Sequence, residues 1–145
     1  MEKDYTTSIL VNQSPEQVFN AIIHVRDWWQ GEIIGDTGKK GDEFTYQMGE
    51  VHFSKQLVTE FIPNEKLAWR VTESRINFVT DKQEWVDTEI VFQISPEGSQ
   101  TKLTFTHRGL VPSIECYGGC SGAWEGLIEK SLFSLITTGK GVDIF

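Results

Sequence analysis

Residues 114–139 read IECYGGCSGAWEGLIEKSLFSLITTG, and the fold turns on how this stretch is read. At about 100° per residue, Tyr117, Cys120, Trp124, Leu127, Ile128, Ser131 and Leu135 share one side of a helix. Glu125 and Glu129 fall on the other side. Gly139 is placed to close the helix in a left-handed conformation. An amphipathic helix over residues 114–138 must bury its apolar side, and the strands before it are the only large apolar surface available.

Moving outward from that helix, the period drops to two. Residues 102–108 form the last strand, with Leu103, Phe105 and His107 on one face. Residues 85–94 align Ile90, Phe92 and Ile94, and residues 66–72 align Leu67, Trp69 and Val71. Residues 51–62 form a longer strand, and residues 42–48 place Phe44, Tyr46 and Met48 together. Gly49-Glu50, Pro63-Asn64-Glu65 and Ser95-Pro96-Glu97-Gly98 supply turns, and residues 74–83 read as a polar loop. Near the N-terminus, residues 5–11 are a first strand. Ser14-Pro15-Glu16-Gln17 then opens a short helix, with Ser14 as cap, Pro15 in the first turn and Gln17 three residues on. Residues 24–29 continue that helix or start a second, so adjacent Trp28 and Trp29 should point apart and not be equally buried. Strands joined by short turns imply an antiparallel meander, and twist makes a large sheet curl. The expected class is α+β: a curved six-stranded antiparallel sheet around a long C-terminal helix, one or two short helices after the first strand, and an apolar pocket between sheet and helix.

The order of elements and several strings resemble the START/Bet v 1-like (SRPBCC) superfamily and its helix-grip fold. Within it the chain is similar to the family of the activator of Hsp90 ATPase homologue, C-terminal-domain type. The strings are Asn12-Gln13-Ser14-Pro15-Glu16-Gln17-Val18-Phe19, Trp28-Trp29, the segment from Leu57 to Leu67 around Pro63-Asn64-Glu65, and Trp124 with Leu127 and Leu135. The resemblance spans nearly the whole chain and implies one domain over residues 1–145. It also implies a hydrophobic ligand between sheet and helix, a chaperone contact, or cyclase-like, dehydratase-like or hydrolase-like chemistry. It carries no shared catalytic motif.

Composition narrows the partners. With 21 acidic and 13 basic residues the net charge is −8, which repels phosphate backbones and argues against nucleic acid. No run approaches the roughly 18–20 apolar residues of a membrane span, and MEKDYTTSIL lacks a signal-peptide pattern, so a cytoplasmic protein is expected. An exposed edge strand would favour a homodimer.

Searches for chemistry return little. No G-x-S-x-G, P-loop, G-x-G-x-x-G or H-E-x-x-H string is present. Cys116 and Cys120 are expected to be reduced and partly buried, and the three histidines lack metal-ligand spacing, so neither a metal nor a cofactor is expected. Gly118, Gly122 and Gly126 lie opposite Trp124, or else in a loop before a helix that begins near Ser121. His107, on an inward face, is the one candidate acid/base. Trp85, beside the polar loop, is expected to be partly exposed. The ligand site expected from these patterns comprises Phe44, Tyr46, Trp69, Phe92, Phe105, His107, Cys120, Trp124 and Leu127, with no catalytic set.

Overall fold

A computed structural model describes residues 3–77, 80 and 84–144. The elements run β1 (Tyr5–Val11), α1 (Pro15–Ile23), a 3₁₀ turn (Val25–Asp27), β2 (Glu32–Gly35), β3 (Glu43–Met48), β4 (His52–Ile62), β5 (Lys66–Ile76), β6 (Glu89–Glu97), β7 (Gln100–Arg108), α2 (Tyr117–Gly126), a π-helical segment (Leu127–Leu132) and α3 (Phe133–Thr138). All seven strands form one antiparallel sheet in the order β1-β7-β6-β5-β4-β3-β2. The closing helix lies across its concave face, so the helix-grip architecture stands.

The start of α1 follows its sequence signal. Gln17 N–H donates to Ser14 Oγ at 3.2 Å, and Ser14 N–H donates to Gln17 Oε1 at 2.9 Å, a reciprocal cap with Pro15 in the first turn. Val18, Phe19 and Ile22 are buried on its inner side. The inward strand faces also agree with their alternation. Val58, Trp69, Ile90 and His107 lie in one cross-strand row, and Leu67, Phe92 and Phe105 in the next. All seven are essentially inaccessible. Register shifts in the β4–β5 pairing, at Lys55/Gln56 and Val58/Glu60, add local twist and help the sheet curl.

The sheet has seven strands where six were expected. The additional one, β2, is only four residues long, following Gly31 and ending at Gly35, with Ile33 buried and Ile34 exposed. β5 runs on to Ile76 past residue 72, and β6 begins at Glu89, because residues 84–87 form turns. Of the expected polar loop over 74–83, residues 74–76 belong to β5, and 78, 79 and 81–83 lie outside the described residues.

Trp28 and Trp29 are both 2% exposed, contrary to the expectation that they diverge. A regular helix ends at Ile23, and Trp28 adopts φ −131°, so the 100° spacing does not apply to this pair. Their rings stack at 6.1 Å and 14°, and the Trp28 indole N–H donates to Ile22 O at 3.0 Å.

The closing helix starts at Tyr117, not at Ile114 and not at Ser121, so the glycines are helical. Gly118 and Gly122 face open space, and Gly126 faces the Ile144 side chain. The π-helical segment inserts extra residues per turn. That shift moves Ile136 into the core, and Leu135, expected inward, is only half-buried. Gly139 ends the helix at φ 88°.

Candidate functional site

A buried polar chain fixes the helix on the sheet. The Trp124 indole N–H donates to His107 Nδ1 at 3.0 Å, so Nδ1 carries a lone pair and no proton. The proton therefore sits on Nε2, which donates to Thr88 Oγ1 at 2.8 Å. The Thr88 hydroxyl in turn donates to Trp85 O at 2.6 Å. Burial, and then the neighbouring His52, push the His107 pKa down to about 3. With its ring neutral, both nitrogens engaged and no solvent access, His107 holds the helix to the sheet and has no free nitrogen for acid/base work.

That chain positions two tryptophans against a cavity of about 360 Å³. Trp85 and Trp124 stack at 5.8 Å and 14° on one side. Trp29, itself stacked on Tyr46 at 4.2 Å, closes another. Met48, Val51 and His52, at the β3–β4 hairpin, form the sheet-side rim. Gly119, Cys120, Ala123 and Leu127 form the helix side. The lining contains no Asp, Glu, Lys or Arg.

The polar groups of the wall are few. The Tyr46 hydroxyl donates to Gln30 O at 2.6 Å, and burial raises its pKa to about 12, so it stays protonated. His52 Nε2 lies 3.4 Å from Ser54 Oγ, its ring is edge-on to Trp85 at 4.4 Å, and burial lowers its pKa to about 4. The pocket is therefore electrically neutral at physiological pH.

Of the nine residues expected at a ligand site, the structure brings Tyr46, Cys120, Trp124 and Leu127 to the cavity wall. Phe44, Trp69, Phe92, Phe105 and His107 do not line it. They pack together behind it, with Trp69 against Phe44 at 4.9 Å and Phe92 against Phe105 at 5.2 Å. Reading by strand alternation missed Trp29, Met48, Val51, His52, Trp85, Gly119 and Ala123. Trp85, expected to be partly exposed, is 4% exposed, because His52, His107 and Trp124 surround it. A usable signal was present in the small residues Gly119 and Ala123, one turn apart beside Cys120, which leave space where larger side chains would fill it.

Both cysteines are reduced and buried. The Glu84 carboxylate accepts from Glu115 N–H at 2.9 Å and Cys116 N–H at 3.2 Å, holding the 84–87 turns against the start of α2. Among the described residues no cluster of three or more potential metal ligands occurs, and no helix is long and apolar enough to cross a membrane.

A curved antiparallel sheet gripping a C-terminal helix over an aromatic cavity defines a protein of the START/Bet v 1-like class. The chain belongs to the family described as "Activator of Hsp90 ATPase homolog 1-like protein", whose profile matches residues 12–136. It is similar to the solution structure of the Aha1 dimer from Colwellia psychrerythraea, at 25% identity and TM-score 0.77, covering 96% of this chain and 99% of that one. It also resembles protein SSP2350 from Staphylococcus saprophyticus, at 14% identity and TM-score 0.72, covering 99% and 98% of the two chains. A third likeness is to CalU16 from Micromonospora echinospora, at 16% identity and TM-score 0.65, covering 92% of this chain and 74% of that one. No curated protein shows a significant match.

Proposed function

We propose that the chain binds a small, uncharged, hydrophobic molecule in the cavity between the β3–β4 hairpin and α2. The observation that carries this reading is the wall itself: aromatic and aliphatic surface around about 360 Å³, with no ionisable group charged at neutral pH. Ligand pockets are typically apolar with a few placed polar groups. Trp29, Tyr46, Trp85, Cys120, Trp124 and Leu127 provide the contact surface, and His52 provides the polar handle. Burial of apolar ligand surface at about 25 cal/mol per Å² supplies the affinity. The residues behind the wall, Phe44, Trp69, Phe92, Phe105 and His107, contribute by holding it rigid.

Tryptophan emission during titration with neutral lipophilic compounds tests the reading, since Trp29, Trp85 and Trp124 all face the cavity. Saturable quenching or blue shift supports it; emission that changes only linearly with added compound overturns it.

A second reading, contact with a chaperone, is favoured by the family's description and by the Colwellia relative. Stimulation of an Hsp90-type ATPase by the purified chain tests it, and an ATPase rate unchanged at excess chain rejects it. Both readings take a one-domain cytoplasmic protein. Self-association into a homodimer is supported by the relative described as a dimer, and sedimentation velocity reads it directly.

A further inference from the structure

The inward face of β4 carries a polar row, His52, Ser54 and Gln56, before it turns apolar at Val58. Ser54 and Gln56 are wholly inaccessible, paired across β3 with Tyr46 and Phe44. Buried hydroxyl and amide groups cost free energy unless they are hydrogen-bonded. Here they are bonded in a line that leads to the cavity, because His52, the first of the three, lies in its wall.

The direction of that line follows from its donors. The Gln56 amide N–H donates to Ser54 Oγ, and Gln56 Oε1 is buried without a partner. Turning the amide round would leave both of its hydrogens unbonded, and an orphaned N–H is tolerated less well than an orphaned carbonyl oxygen. Having accepted from Gln56, Ser54 has its own O–H to give. Among the described residues its one other partner is His52 Nε2, at 3.4 Å. The hydroxyl therefore donates to Nε2, which holds a lone pair, and the imidazole proton sits on Nδ1. His107, which also packs against Trp85, has the opposite tautomer, with its proton on Nε2.

Nδ1 of His52 has no acceptor among the described residues, and protein does not enclose it. The ring is half-buried and meets Trp85 and Tyr46 edge-on, at 4.4 and 5.4 Å. Other polar groups of the wall are committed elsewhere: the Tyr46 hydroxyl to Gln30 O, and the Trp124 indole to His107. The Trp85 indole N–H is buried without an acceptor, so the unmet need on this side of the cavity is also for an acceptor.

We propose that the cavity selects neutral hydrophobic molecules bearing a hydrogen-bond acceptor, such as a ketone, ester or ether oxygen, which takes the His52 Nδ1–H. Gln56 is the positioning residue: through Ser54 it fixes the imidazole proton on the nitrogen that is free to meet the ligand. A ligand offering only a donor finds no lone pair on that nitrogen. The proposal rests on the reading of the cavity as a ligand site and narrows the class of ligand.

The test uses the full chain and three neutral tricycles of one frame. Fluorene has no hydrogen-bonding group, fluorenone only accepts, and carbazole only donates. In nitrogen-15-labelled wild type at pH 7.5, multiple-bond imidazole correlations should place the proton on Nδ1 of His52 and on Nε2 of His107. Isothermal titration is run on wild type and His52→Phe. Fluorenone should weaken about 3- to 10-fold more than fluorene, the worth of one neutral hydrogen bond, and carbazole should follow fluorene. Gln56→Leu frees Ser54 to accept from His52, so an Nε2–H signal should appear and fluorenone should weaken relative to fluorene. An Nε2–H on His52 in wild type, carbazole weakening in place of fluorenone, or equal losses for all three would overturn the proposal while leaving the cavity a ligand site. An unchanged tautomer in Gln56→Leu would overturn the part given to Gln56. Saturable binding by none of the three would overturn the ligand site and the proposal together. The wild-type tautomer is decisive by itself if a variant fails to fold.

Discussion

The Trp124 indole N–H points into the His107 ring nitrogen at 3.0 Å, and through this contact the closing helix is keyed to the last strand. Both partners are essentially inaccessible, so neither can turn to water if the other is lost. Trp124→Phe keeps an aromatic ring but strips the donor, leaving Nδ1 buried and unpaired. The expected cost is about 1–3 kcal/mol, read as a lower urea midpoint. A midpoint equal to wild type would show that the bond does not anchor the helix.

Acid should weaken the fold through two histidines. His52 and His107 sit against Trp85, with ring centroids 4.4 and 4.7 Å away, and their pKa values fall from 6.5 to about 4 and about 3. Above pH 6.5 both rings are neutral whether folded or unfolded, so they give no pH dependence. Below it the unfolded chain binds protons that the native state refuses, and stability falls until the native rings protonate near pH 4 and 3. By pH 5 the loss is about 2 kcal/mol per histidine. His52→Phe should remove roughly half of this part of the loss between pH 7.5 and 5. Urea melts of the variant and wild type that fall in parallel would contradict the assignment.

Much of the fold was legible because it is periodic. The inward rows through Trp69, Ile90 and His107 follow from strict alternation, and Ser14-Pro15-Glu16-Gln17 folds as its cap pattern demands. Where the period breaks, sequence reading failed. β2 is too short for alternation to show, and Trp28-Trp29 stack because the chain has left the helix. The π-helical segment, invisible to a 3.6-residue period, exchanges Leu135 for Ile136 in the core. The cavity was only half legible for a different reason. Its wall depends on where the hairpin carrying Met48, Val51 and His52 and the turn carrying Trp85 meet α2. No local pattern encodes that meeting.

The glycines of α2 give a prediction in two directions. A Cβ at position 118 or 122 meets nothing, and neither backbone is left-handed, so Gly118→Ala and Gly122→Ala should each stabilise by about 0.5–1 kcal/mol. A Cβ at Gly141 would collide with the Asp27 carbonyl, so Gly141→Ala should destabilise. Thermal midpoints rising in the first pair and falling in the third are expected; the reverse order would refute this account of the tail and helix. Amide exchange in wild type should also be faster over residues 117–126 than over 133–138.

The pocket's polar handle should be separable from its apolar walls. His52→Phe removes the one titratable imidazole in the wall while keeping a flat ring, so ligands bearing a hydroxyl or carbonyl should weaken, and pure hydrocarbons should not. The expected discrimination is about 3- to 10-fold, the worth of one neutral hydrogen bond. Isothermal titration with a matched pair of such ligands reads it, and equal losses for both would assign His52 a purely steric role.

Ligand binding in the cavity is tested most simply by filling it. Ala123 lines it from the helix and is only half-buried, so Ala123→Trp can project a large ring into the space. Binding of the uncharged fluorophore N-phenyl-1-naphthylamine is measured to wild type and to the variant, with near-ultraviolet circular dichroism confirming that the fold is kept. Saturable binding to wild type is expected, with a Kd at least about tenfold weaker in the variant, or about 1.4 kcal/mol. Equal binding to both proteins, or no saturable binding to wild type, would contradict it.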